Sequence, residues 1–260
     1  MNDIKKKNII MTIAVLLVGL GIAGGTYAYL TQSITTTNNT YNVETHCFTI
    51  DYTGGTQEIT GTLFPSGTVS KGLSGSVSMK VNDACNLAGK GTLTLHINGS
   101  TSSKLTTPAS SYCEDRSTLE PIAGISTKAN CDTAGGRWQG YGDSYCESNT
   151  NYERLTAYTD SSSCSSHGGT WTSGGSPLKY AVYANATGTG TPLSKGKITS
   201  SNIGSTVEIY NNFAIDRTQK YYYIFIWVDG YLTDATYVNL PFSGYITAEA
   251  TQNESAAPLT

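Results

Sequence analysis

Charge is scarce in this chain: Lys, Arg, Asp and Glu make up only 13% of its 260 residues, and there are three histidines. Helices standing in water need a charged face, so this composition argues against them, and beyond the amino terminus no segment carries a 3.6-residue apolar period. Catalytic signatures are missing too. There is no H-E-x-x-H, G-x-S-x-G, P-loop or EF-hand loop, and the acids are scattered rather than paired for glycosidic chemistry. No C-x-x-C occurs, which weighs against zinc. No basic patch is available to hold nucleic acid. No L-P-x-T-G signal precedes ESAAPLT, which weighs against sortase attachment. The expectation is a protein that is not an enzyme and takes no cofactor.

What is abundant is Gly, Ser, Thr, Asn and Tyr, a usage suited to half-exposed strands and turns, so the prior is all-β. The opening MNDIKKKNIIMTIAVLLVGLGIAGGTYAYL is different: Lys5, Lys6 and Lys7 precede an uncharged run from Ile9 to Leu30. That is the layout of an export signal. The run could span a bilayer of about 30 Å. Gly19, Gly21, Gly24 and Gly25 weaken its second half, however, and Thr26-Tyr27-Ala28 offers small residues to a signal peptidase. Residues 1–28 read as a signal peptide cut between Ala28 and Tyr29, with a retained transmembrane anchor as the alternative. Either way the rest faces outside. Cleavage takes the formal charge from −3 to −5.

After the signal, residues 29–44 look like an extended arm with no core-facing pattern. Period-two alternation then begins: Phe48, Ile50 and Tyr52; Val77, Met79 and Val81; Leu93, Leu95 and Ile97. It resumes with Leu178, Tyr180 and Val182, peaks in YYYIFIWVDG at 221–230 and ends with Ile246, Ala248 and Ala250. YYYIFIWVDG is apolar on both faces, which predicts a central strand. Two strand groups, 45–107 and 178–252, thus flank an insertion at 108–177 with almost no strand pattern, and a tail follows at 253–260.

That insertion is a tandem duplication. At an offset of 33 residues, Ser111, Tyr112, Cys113, Glu114, Glu120, Cys131, Gly135, Gly136 and Trp138 recur as Ser144, Tyr145, Cys146, Glu147, Glu153, Cys164, Gly168, Gly169 and Trp171. Six cysteines in an exported chain read as three disulfides. Cys47 and Cys85 lie outside the insertion and pair most simply with each other. Equal spacing favours Cys113–Cys131 and Cys146–Cys164, although Cys131–Cys146 with Cys113–Cys164 would also staple the insertion. Trp138 and Trp171 read first as covers for the disulfides, and alternatively as stacking platforms for a glycan or a surface-protein partner. Glu114 and Glu147 are expected to be solvated loop residues rather than cation ligands. His96 and His167 are expected at the surface. A Lys–Asp or Lys–Asn isopeptide staple is compatible with such a chain, but nothing in the sequence singles out a pair.

KKKNIIMTIAVLLVGLGIAGGTYAYLTQS, LKYAVYAN, KYYYIFIWVDG and PFSGYITAEATQ together resemble the TasA/camelysin family of exported bacterial β-proteins, matured by the W-type signal peptidase of Gram-positive bacteria. The resemblance covers the two strand groups and not the insertion. It implies a jelly-roll-like antiparallel β-sandwich at the cell surface that self-associates into extracellular matrix fibres of a biofilm. In such fibres the arm freed by cleavage completes the sheet of the next subunit, and here that arm would be Tyr29 to Tyr41. Camelysin-type members have been described as metalloproteases, a role that no H-E-x-x-H supports here. The alternative function is an adhesin whose duplicated insertion binds the partner.

Overall fold

The structure is a computed structural model and describes residues 31–33, 42–44, 47–52, 57–253 and 259. The signal segment, the Ala28–Tyr29 junction and most of the arm and tail lie outside the described residues. Among the described residues, no helix is long and apolar enough to cross a membrane.

Seven strands precede the insertion: β1 (Thr31–Ser33), β2 (Asn42–Glu44), β3 (Phe48–Tyr52), β4 (Glu58–Leu63), β5 (Pro65–Ser66), β6 (Leu73–Val81) and β7 (Gly89–Ile97). The insertion holds β8 (Tyr112–Glu114), β9 (Arg137–Gln139), β10 (Ser144–Ser148) and β11 (Gly169–Ser173), with short helices at Lys128–Thr133 and Ser161–Ser166. Then come β12 (Leu178–Tyr183), β13 (Ser194–Lys197), β14 (Thr206–Ile215), β15 (Lys220–Asp229) and β16 (Leu240–Gln252).

The strands outside the insertion form two sheets. One runs β1-β16-β7-β14, with β4 also on β16; the other runs β13-β12-β15-β6-β3-β2, with β5 added in parallel at the end of β15. All other pairings are antiparallel. The sheets face one another as in a β-sandwich, and the alternating residues named above meet between them: Phe48, Ile50, Val77, Met79, Leu93, Leu95, Val182, Ile224, Ile246 and Ala248 are all buried in one cluster. Each large side chain buried this way contributes about 1.5–3 kcal/mol.

The two faces of the β12-β15 pair explain why both strands are largely apolar on both sides. Leu178, Tyr180 and Val182 point into the core, while Ala181, Tyr183, Phe225 and Trp227 form a second small cluster on the outer face, packed against Val69 and Tyr152. Tyr152 belongs to the second repeat, so the insertion is the lid over this outer face. β15 lies between β12 and β6, a central strand buried on both sides.

β16 joins its sheet on both edges. β7 lies along one side from Gly244 to Gln252. Along the other, β4 covers Leu240 to Tyr245, the Gln57 carbonyl accepts from the Ile246 N–H, the Tyr52 hydroxyl accepts from the Ala248 N–H at 2.9 Å, and β1 covers Glu249 to Thr251. β1 and β2 both fall in the segment that the sequence presents as an arm, and both are paired to the body.

Candidate functional site

The insertion carries four short strands and two helices that the sequence pattern does not announce. Each repeat is one hairpin closed by a disulfide: β8 pairs with β9 and Cys113 bonds Cys131; β10 pairs with β11 and Cys146 bonds Cys164. Cys47 bonds Cys85 in the body. The insertion disulfides each join residues 18 apart, and closing a loop of about that length stabilises by roughly 3 kcal/mol in the chain-entropy model. Three disulfides point to an oxidising compartment.

The 33-residue offset holds atom by atom. The Ile122 and Leu155 N–H groups donate to the Cys113 and Cys146 carbonyls, and Leu119 and Tyr152 both sit at φ 61°. Thr127 and Asp160 cap the two helices. The Gly pair has a mechanical reason. Gly135 and Gly168 end their helices at φ +72° and +74°, where a side chain is strained, and a Cβ on Gly136 or Gly169 would collide with the disulfide sulfurs.

Trp138 and Trp171 stand directly across their hairpins from Cys113 and Cys146, which puts each indole on the same face as its disulfide. Both are half-buried, and the Trp138 indole N–H donates to Asp143. His96 is half-buried at the sheet surface, against Thr247 and Tyr245, and His167 is exposed and stacked on Tyr158.

The two conserved-offset glutamates correct the reading from sequence: neither is solvated, since each keeps only 6% of its side chain exposed. Glu114 receives Gln139 at 2.7 Å and Arg137 at 2.5 Å, both from β9 of its own repeat. Burial pushes its carboxyl up, but those two donors more than offset this and hold it below the ordinary carboxylate value. Glu147 has Thr170 and Thr172 at the matching positions and turns to the body instead. Its Oε1 accepts from Lys179 at 2.7 Å and from the Tyr145 hydroxyl at 3.1 Å, and its Oε2 pairs with Lys197 at 2.7 Å. Burial raises this carboxyl as well, and the Lys179 and Lys197 ammoniums outweigh it and lower its pKa.

Lys179 is the centre of this site. It is the second residue of β12, its side chain is 0% exposed, and besides Glu147 it meets Asp229 at 2.6 Å and the Tyr152 carbonyl at 3.3 Å. Lys179 and Asp229 share the outer face because Lys179 is registered with Trp227, two residues before Asp229 on β15. Tyr152 roofs the cluster, with Lys195, Lys179 and Lys197 at 4.0, 5.5 and 5.6 Å from its ring centre. Burial and the neighbouring ammoniums keep Lys195 below the ordinary amine value despite Glu147. The site therefore sets one buried amine between two buried carboxylates. Sequence reasoning passed over Lys179 and Asp229. A single cation inside the apolar run LKYAVY was the available signal, but its partner lies 50 residues away.

A cleft of about 530 Å³ opens elsewhere, between β14 and β15, lined by Tyr210, Phe213, Tyr221, Tyr222, Leu193 and Gln219. Tyr210 and Phe213 are stacked at 4.5 Å and Phe213 lies 4.6 Å from Tyr222. Among the described residues, no group of three or more His, Cys, Asp or Glu is placed to hold a metal ion. Compared with protein-family models, curated proteins and solved structures, the chain matches none.

Proposed function

We propose that this chain is a secreted or surface-associated structural subunit that assembles into extracellular matrix fibres by exchanging its amino-terminal arm between copies. The observation that carries the reading is β1: a piece of the arm, Thr31–Ser33, pairs with Glu249–Thr251 on the stretch of β16 that β4 leaves open. Main-chain hydrogen bonds recognise any strand of suitable register, so an arm from a second copy can fill the same stretch. The resemblance to TasA/camelysin-type proteins points the same way. It also suggests that the two sheets follow a jelly-roll path, and that maturation by a signal peptidase between Ala28 and Tyr29 frees the arm.

The test compares secreted protein with a chain beginning at Asn42, by electron microscopy and light scattering. Fibres from the first and monomers from the second are expected, with a synthetic peptide of residues 29–41 blocking growth; equal fibres from both sink the idea. A second reading, an adhesin, draws on the aromatic cleft rather than on the paired tryptophans, because stacked rings with a nearby amide suit a sugar. Tyr221, 43% exposed at the cleft mouth, is the residue to replace: Tyr221→Ala should reduce binding to cell-wall glycan at least several-fold, and unchanged or absent binding removes this reading.

A further inference from the structure

The Lys179 pocket goes beyond assembly. We propose that Lys179 and Asp229 condense into an intramolecular amide, with Glu147 of the second repeat carrying the proton. The reacting groups are already in contact, with Lys179 Nζ 2.6 Å from Asp229 Oδ2. Attack needs the nitrogen within about 3–3.5 Å of the carbonyl carbon, and Cγ lies one bond beyond that oxygen. The other oxygen, Oδ1, accepts the Tyr231 N–H at 2.8 Å, which holds the oxygen that remains and stabilises the charge it gathers. Glu147 Oε1 stands 2.7 Å from Nζ, with its second oxygen fixed by Lys197. It is thus oriented as a base, and it is not itself the electrophile, because its charge stays paired.

The steps balance. A proton passes from Nζ to Oδ2, giving a neutral amine and a neutral acid. The Nζ lone pair then forms a bond to Cγ, and the nitrogen gives a second proton to Glu147. Finally the Cγ–Oδ2 bond breaks, Glu147 returns its proton to the departing hydroxyl, and water leaves. The ammonium hydrogens end as one on the amide and two on the water, nothing is oxidised or reduced, and the Glu147–Lys197 pair is left unchanged. The bond would join β12 to the end of β15 across 50 residues and, unlike the disulfides, would survive reductant.

Intact-mass spectrometry of the secreted full chain, denatured and with its amino terminus determined, reads the reaction directly. The expected mass is one water below that of the disulfide-bonded sequence, with a proteolytic peptide joining Lys179 to Asp229 and no tryptic cut after Lys179. A full-mass wild-type protein with a cleavable Lys179 overturns the proposal, as does a link to Glu147. Lys179→Arg and Asp229→Ala should restore the missing water. Glu147→Gln keeps the shape of the side chain and should leave most of the protein unlinked, whereas complete linkage in that variant overturns the role of Glu147. A native disulfide map in each variant confirms that the fold has formed.

Discussion

The first repeat answers its own charges; the second does not. Glu114 finds Arg137 and Gln139 within its hairpin, whereas Glu147, at the same place in the same frame, faces Thr170 and Thr172 and takes Lys179 and Lys197 from the body. Two changed positions on one strand thus separate a self-contained loop from a docked lid. The φ 61° residue shows the same divergence: Leu119 is 61% exposed, while Tyr152 roofs the lysines. The two copies share the frame, and the one without internal partners is the one bound to the body.

The contrast is most severely tested by removing the cations. Lys179→Ala leaves Glu147 and Asp229 buried around a lost partner and should cost at least about 3–5 kcal/mol in urea unfolding, whereas Arg137→Ala, whose side chain is 55% exposed and which leaves Glu114 its Gln139 donor, should cost less. Equal costs would mean that the second repeat is not the more tightly held. Next, Gly136→Ala and Gly169→Ala both force a methyl into the disulfide, at about 1–3 kcal/mol each. Only the second should also raise hydrogen exchange in β12 and β15, beneath the lid. Thr170→Arg with Thr172→Gln should go further and recreate the internal partners. Glu147 would then be drawn from Lys197, and exchange at Tyr152 and its neighbours should rise without loss of either disulfide.

The smallest expected effect is acid sensitivity, which the two copies place at opposite ends. Asp115 accepts from the Ser117 and Thr118 N–H groups, and with the Ser117 hydroxyl they lower its pKa to about 2; Ser148 holds the matching turn without charge. The capping carboxylate of the second repeat, Asp160, is likewise lowered by the Ser163 backbone and hydroxyl bonds, where the first has neutral Thr127. A depressed carboxyl stabilises above its unfolded value of 3.8 and loses that contribution as pH falls through the folded one. Amide exchange below the ordinary carboxylate range should therefore rise at Ser117 and Thr118 but not Thr150, and at Ser162 and Ser163 but not Asn130. The same response in both copies would dissolve the distinction.

The body strands were legible because alternation survives over five or more residues, as in Phe48–Tyr52 and Leu93–Ile97, where the apolar member is the buried one. The unbroken run at β15 was legible for the opposite reason, since burial on both faces leaves no alternation and a continuous apolar stretch instead. The insertion hid its strands because three residues such as Tyr112–Glu114 are too few to show a period, and its helices because six residues such as Ser161–Ser166 hold less than two turns. The charged site was hidden by distance: nothing near Lys179 in the chain states that Asp229 will be its diagonal neighbour, and Glu147 sits in a sequence frame that in its sister copy does something else.

The place of β16 in its sheet has a kinetic side. It is the last strand among the described residues, and β1, β4 and β7 all pair with it, with Thr31 meeting Thr251. Contacts of such sequence separation form slowly, while the two insertion loops can close as soon as their own cysteines emerge. A chain crossing a membrane amino terminus first would therefore carry finished, oxidised hairpins on an unassembled sheet. Its arm would wait for residue 251, and any other strand that reaches β16 in that interval competes with it on equal terms.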